Sequence, residues 1–67
     1  MNETGHIRRL IASGRTAEAE AALRRKVSET PRHAESRALL AGILAATGRK
    51  AEAITELQIA VEHAPES

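Results

Sequence analysis

Shifted by 34 residues, the chain overlays on itself. Leu10 falls on Leu44, Ala12 on Ala46, Gly14 on Gly48 and Arg15 on Arg49. Ala17, Glu18 and Ala19 fall on Ala51, Glu52 and Ala53, Leu23 on Leu57, Val27 on Val61, and Pro31 on Pro65. Ten of the 22 positions from Leu10 to Pro31 are identical without a gap. Three of the ten are Ala in an Ala-rich chain, so the paired Gly, Pro and Leu carry the signal. A fixed period of this length means that one supersecondary unit is built twice, and each unit needs a neighbour to cover its apolar face.

Each unit reads as two helices. Ile7, Leu10 and Ile11 lie at helical spacing, as do Leu39, Leu40, Ile43 and Leu44. Both stretches end at a small residue followed by Gly, at Ser13-Gly14 and Thr47-Gly48. A glycine just past a helix end takes the left-handed conformation that closes it. New helices start at Ala17 and Ala51, with Thr16 placed to cap the first. Glu18 and Glu52 fall in first turns, where carboxylates suit the helix dipole. The apolar stripe then runs through Ala19, Ala22, Leu23 and Val27, and through Ile54, Leu57, Ala60, Val61 and Ala64. Pro31 and Pro65 mark the exits, because the residue before proline avoids helical geometry. The sequence therefore predicts four helices, at about 4–13, 17–29, 33–47 and 51–64, and no strand. Turns of two to four residues make consecutive helices antiparallel.

Composition removes several classes of function. The chain has 67 residues, which allows one small domain over 1–67. It has no Cys, hence no disulfide framework, thiolate metal site or Cys nucleophile. It has no aromatic residue, so it lacks the usual stacking platform for single-stranded nucleic acid. Ten basic side chains against nine acidic ones leave a net charge of +1, which is not the footprint of a nucleic-acid or membrane-surface binder. The longest apolar run, Ala38 to Ala46, is far short of the ~20 residues that cross a bilayer. No membrane partner is expected, and the expected location is the cytoplasm. Thirteen Val, Leu or Ile and fourteen Ala make a thin core, one that a chain of this size strains to stabilise alone.

Two antiparallel helices per 34 residues, with these residues at these offsets, resemble the tetratricopeptide repeat. Repeat one spans about 1–33 and repeat two about 34–67. In the second, Leu40-Ala41 resembles the family's Leu-Gly pair, Leu44 stands at the aromatic position of the first helix, and Gly48 at the turn. Glu52-Ala53 opens the second helix, Leu57 takes the Phe position, Ala60 the small position and Pro65 the terminal proline. The first repeat matches from Leu10 onward and departs before it. His6 stands where Leu would, Gly5 falls inside a helix, and Lys26 replaces the small residue. The implied fold is all-α: two helix-turn-helix hairpins stacked as a fragment of an α-solenoid.

The resemblance also implies a use. Tetratricopeptide repeats bind proteins or peptides, chiefly on a groove lined by the first helix of each repeat. Carried over by position, that groove holds Arg8, Ile11, Ala12, Glu35, Ala38, Gly42, Ala45 and Ala46. Its small residues would let a partner helix approach closely. The last helix carries extra aliphatics, with Ile54, Ile59 and Val61 as a second candidate surface. Ile59 falls off the main stripe, which points to an exposed end. A following repeat, a second copy of the chain or a partner protein would cover it, so a homo-oligomer is expected.

Other chemistry finds little support. His6, His33 and His63 form no His pair at helical metal-site spacing, and the four Gly are scattered rather than gathered in a phosphate loop. No catalytic residue, cofactor or metal is expected. Basic side chains cluster at Arg8-Arg9 and Arg24-Arg25-Lys26. Residues 1–33 hold seven basic and four acidic side chains, net +3, and residues 34–67 hold three and five, net −2. The expected function is a non-catalytic protein-interaction module, self-associating or docking a peptide or helix. The alternatives are an N-terminal adaptor segment of a larger enzyme and a small helical nucleic-acid binder using its Arg clusters.

Overall fold

The computed structural model describes residues 3–63. Four helices follow one another: α1 (Glu3–Ala12), α2 (Thr16–Glu29), α3 (Ala34–Ala46) and α4 (Lys50–His63). Among the described residues there is no strand. The bounds depart from the sequence expectation by no more than one residue at either end. The expectations for Ala64 and Pro65 lie outside the described residues.

The repeat extends to the hydrogen bonds of the turns. At the end of α1, the Gly14 N–H donates to the Ile11 carbonyl at 3.1 Å and the Arg15 N–H to the Leu10 carbonyl at 2.8 Å. At the end of α3, the Gly48 N–H donates to Ala45 at 3.2 Å and the Arg49 N–H to Leu44 at 2.8 Å. This paired bonding is the Schellman closure, and it needs a left-handed residue at its centre. Gly14 and Gly48 supply it, at φ 80° and 82°. Ser13 Oγ and Thr47 Oγ1 each donate back into the last turn, to Arg9 and Ile43 at 2.9 Å.

One cap is corrected. Thr16 is the first helical residue of α2, and Arg15 holds the cap position without a side-chain hydrogen bond. The Schellman turn places Arg15 there, and its carbonyl accepts the Ala19 N–H at 3.0 Å. α3 has the side-chain cap instead: His33 Nδ1 accepts the Ser36 N–H at 3.3 Å and sits 2.6 Å from Ser36 Oγ.

The core is a cluster of Ile7, Ala19, Leu23, Leu40, Ala41, Ile43, Leu44 and Ala53, with Leu10, Ile11, Ala22, Val27 and Leu39 packed around it. Each helix packs on the next, and α3 against α4 is the most extensive pairing. α4 meets α3 through Ala53 and Ala60, whose small side chains let the two helices lie close. Arg37 and Glu56 close the same interface at 2.8 Å, with side chains only 15% and 17% exposed.

That seating corrects the expected stripe on α4. Leu57 is not in the core; it is 47% exposed, with Ile54 at 56% and Val61 at 68%. Ile59, expected at an exposed end, is half-buried. α4 is turned so that positions 53, 56 and 60 face α3, and the stripe one residue further on is left outward.

Candidate interaction surfaces

Two surfaces stand out, and they share no residue. The first is a shallow depression lined by Ile11, Ala38, Gly42 and Ala46, with Thr16, Leu39 and Ile43 completing its walls. Its floor is small because Ala38, Gly42 and Ala46 recur every four residues on α3 and so share one face. Four of the eight groove residues expected from the sequence thus meet in one place. Arg8 and Glu35 lie one helical turn away on the same faces, and the Arg8 guanidinium donates to the Glu35 carboxylate at 2.7 Å. Both side chains are about half exposed, so the pair adds little to stability and leaves both charges near a passing ligand. Ala12 and Ala45 are exposed but do not line the depression. Thr16, Leu39 and Ile43 escape sequence reasoning, because wall positions need the angle between helices, which periodicity does not carry.

The second surface is the outward strip of α4. Ile54, Leu57 and Val61 line it, with Gln58 and Glu62 alongside. Position by position, the 34-residue offset sets Leu57 against Leu23 and Val61 against Val27. Leu23 is fully buried and Val27 is packed against the core. α3 packs beside α2, and among the described residues no helix lies on the corresponding side of α4.

A family model for the tetratricopeptide repeat matches residues 10–67. The chain belongs to the tetratricopeptide repeat family. No curated protein and no solved structure gives a match. The match begins at Leu10, which agrees with the departures at Gly5 and His6 in the first helix of repeat one. In a stack of tetratricopeptide repeats, the second helix of each hairpin is covered by the next hairpin, and here α4 is the second helix of repeat two.

The repeats are tied by charge as well as by packing. Arg49, in the turn of repeat two, donates to both carboxylate oxygens of Glu20 on α2, at 2.9 and 2.6 Å. Arg24 reaches the same carboxylate at 3.0 Å and Glu52 on α4 at 3.3 Å. The Arg49 hydrogen bond, helped by Arg24, holds Glu20 below the usual carboxylate range, against a smaller opposing effect of desolvation. Of the basic clusters, Arg8 and Arg24 are therefore engaged in ion pairs. Among the described residues, no three His, Cys, Asp or Glu side chains gather where they could hold a metal ion, and no helix is long and apolar enough to cross a membrane.

Proposed function

We propose that this tetratricopeptide repeat chain is a non-catalytic module that binds a helical or extended peptide in the depression between α1 and α3. The observation that supports this reading is Gly42. It lies mid-helix, where glycine costs about 1 kcal/mol relative to alanine, and a Cβ built there meets nothing within 4 Å. Packing inside the chain gives no reason for a glycine at that position. A partner backbone approaching α3 closely does. Ala38 and Ala46, one turn to either side, keep the path open, and Arg8 and Glu35 supply charges at its end.

The test is selection of helical peptides from a randomised display library against the chain, followed by mapping on backbone amide shifts. Binding in the depression moves Ala38, Gly42 and Ala46, and Gly42→Leu abolishes it while leaving the helical circular dichroism intact. Peptides that bind equally well to Gly42→Leu would remove the depression from the account.

Self-association is a second reading, favoured by the exposed Ile54, Leu57 and Val61. It uses residues that the depression does not, since the two linings share none.

A further inference from the structure

The outward strip of α4 has a definable occupant. Within this chain, burial of equivalent positions depends on which hairpin lies beside them. Leu23 on α2 is sealed by the second hairpin, and its equivalent Leu57 is open. The converse holds for first helices. Leu40 and Ile43 of α3 are buried, whereas their equivalents on α1, His6 and Arg9, are exposed. The extra burial of Leu40 and Ile43 comes from the hairpin that precedes α3. A helix that covers α4 as α3 covers α2 must therefore present large aliphatics like Leu40 and Ile43. α1 presents His6 and Arg9. A second copy stacking head to tail would press an imidazole and a guanidinium onto Leu57, at the cost of desolvating them without a partner.

The strip is complementary to itself instead. Ile54, Leu57 and Val61 recur at three- and four-residue steps, the seam of a helix pair. Lys50 lies one turn before Ile54 on the same face, and Glu62 lies beside Val61. Both charges sit at the end of α4 where its own dipole disfavours them, a cation in the first turn and a carboxylate in the last. Antiparallel pairing about Leu57 sets Ile54 against Val61 of the second copy and brings Lys50 beside Glu62 of that copy. Parallel pairing would oppose like charges.

Resting on the self-association reading, we infer that two copies of the chain pair through α4 in an antiparallel, two-fold arrangement, with Leu57 at the axis and Lys50 bridging to Glu62 across each end. Three apolar side chains from each copy form a contact smaller than a standard interface, so the dimer is weak and dissociates on dilution.

Light scattering after size exclusion, over a wide concentration range, reads the mass. It rises from 7.2 kDa towards twice that value and stops there. Leu57→Glu weakens the dimer by about tenfold or more, with unchanged circular dichroism because the position is already open. Lys50→Glu and Glu62→Lys each weaken it, and the double variant restores it, which a merely structural role for either residue would not do. A dimer untouched by Leu57→Glu leaves self-association standing and overturns this face. Single charge variants that dimerise like the parent overturn the antiparallel register. A mass that climbs past two copies shows head-to-tail stacking and overturns the two-fold arrangement. A monomer at every concentration removes self-association altogether.

Discussion

Leu23 and Leu57 occupy the same position of two consecutive repeats, and one is fully buried while the other is 47% exposed. The backbone around them is alike, since α2 and α4 keep their 34-residue offset at both ends. What differs is the neighbour. This predicts unequal costs for the same substitution. Leu23→Ala leaves a cavity in the core and costs about 3 kcal/mol, much of what holds a domain of this size together. Leu57→Ala costs below about 1 kcal/mol in the dilute chain. Urea denaturation followed by circular dichroism, at low protein concentration, measures both.

Gly14, Gly42 and Gly48 separate in the same way. Gly14 and Gly48 are left-handed, at φ 80° and 82°, so alanine at either destabilises by about 1 kcal/mol although nothing is crowded. Gly42→Ala stabilises by up to about 1 kcal/mol, because its backbone is helical and its surroundings are open. Thermal melts of the three variants check the opposite signs. If Gly42 serves a partner, the stabilised variant loses peptide affinity.

Glu20 makes stability depend on acid. Its carboxyl is held below the usual value of 4.5, first by the Arg49 hydrogen bond and then by Arg24. A depressed folded-state value means that the contribution is complete above pH 4.5 and is lost as pH falls through the folded value beneath it. The melting temperature is therefore level above that pH as far as this group is concerned and declines below it. Glu20→Gln lowers the melting temperature at neutral pH by a few degrees and flattens the acid limb. Melts from neutral pH into strong acid on both chains decide it.

Arg37, on α3, ties that helix to α4 and to the turn between α2 and α3. It donates to Glu56 at 2.8 Å and to the Pro31 carbonyl at 3.0 Å, from a largely covered position. Arg37→Ala leaves Glu56 without its cation in the α3–α4 interface and costs about 1–3 kcal/mol. Arg8→Ala, at an exposed pair, costs below about 1 kcal/mol. Equal costs in denaturant titrations would contradict the distinction.

The sequence carries the helices because their signals are local. Apolar spacing and the closing pairs Ser13-Gly14 and Thr47-Gly48 act within one turn of chain, and the period sets the number of hairpins. The α4 stripe eludes the pattern for the opposite reason. Ile54, Leu57 and Val61 have the spacing of a core face, and spacing cannot say which of two faces meets α3. Ala53, Glu56 and Ala60 do meet it, and small residues with a carboxylate do not look like a core until Arg37 is placed opposite. The depression between α1 and α3 is half legible, since Ile11, Ala38, Gly42 and Ala46 come from the repeat register. Thr16 and Leu39 join it through the angle at which the helices cross.

The repeat relationship itself is tested most directly by adding a third hairpin. A chain in which residues 34–67 are repeated after Ser67 places an α3-like helix, with its Leu40 and Ile43 equivalents, beside α4. Denaturant titration of this longer chain and its Leu57→Ala variant then reads the cost of the leucine. The account predicts a higher unfolding midpoint than the parent and a Leu57→Ala cost that rises to about that of Leu23→Ala, ~3 kcal/mol. A third hairpin that unfolds independently, with the Leu57→Ala cost unchanged, would contradict it.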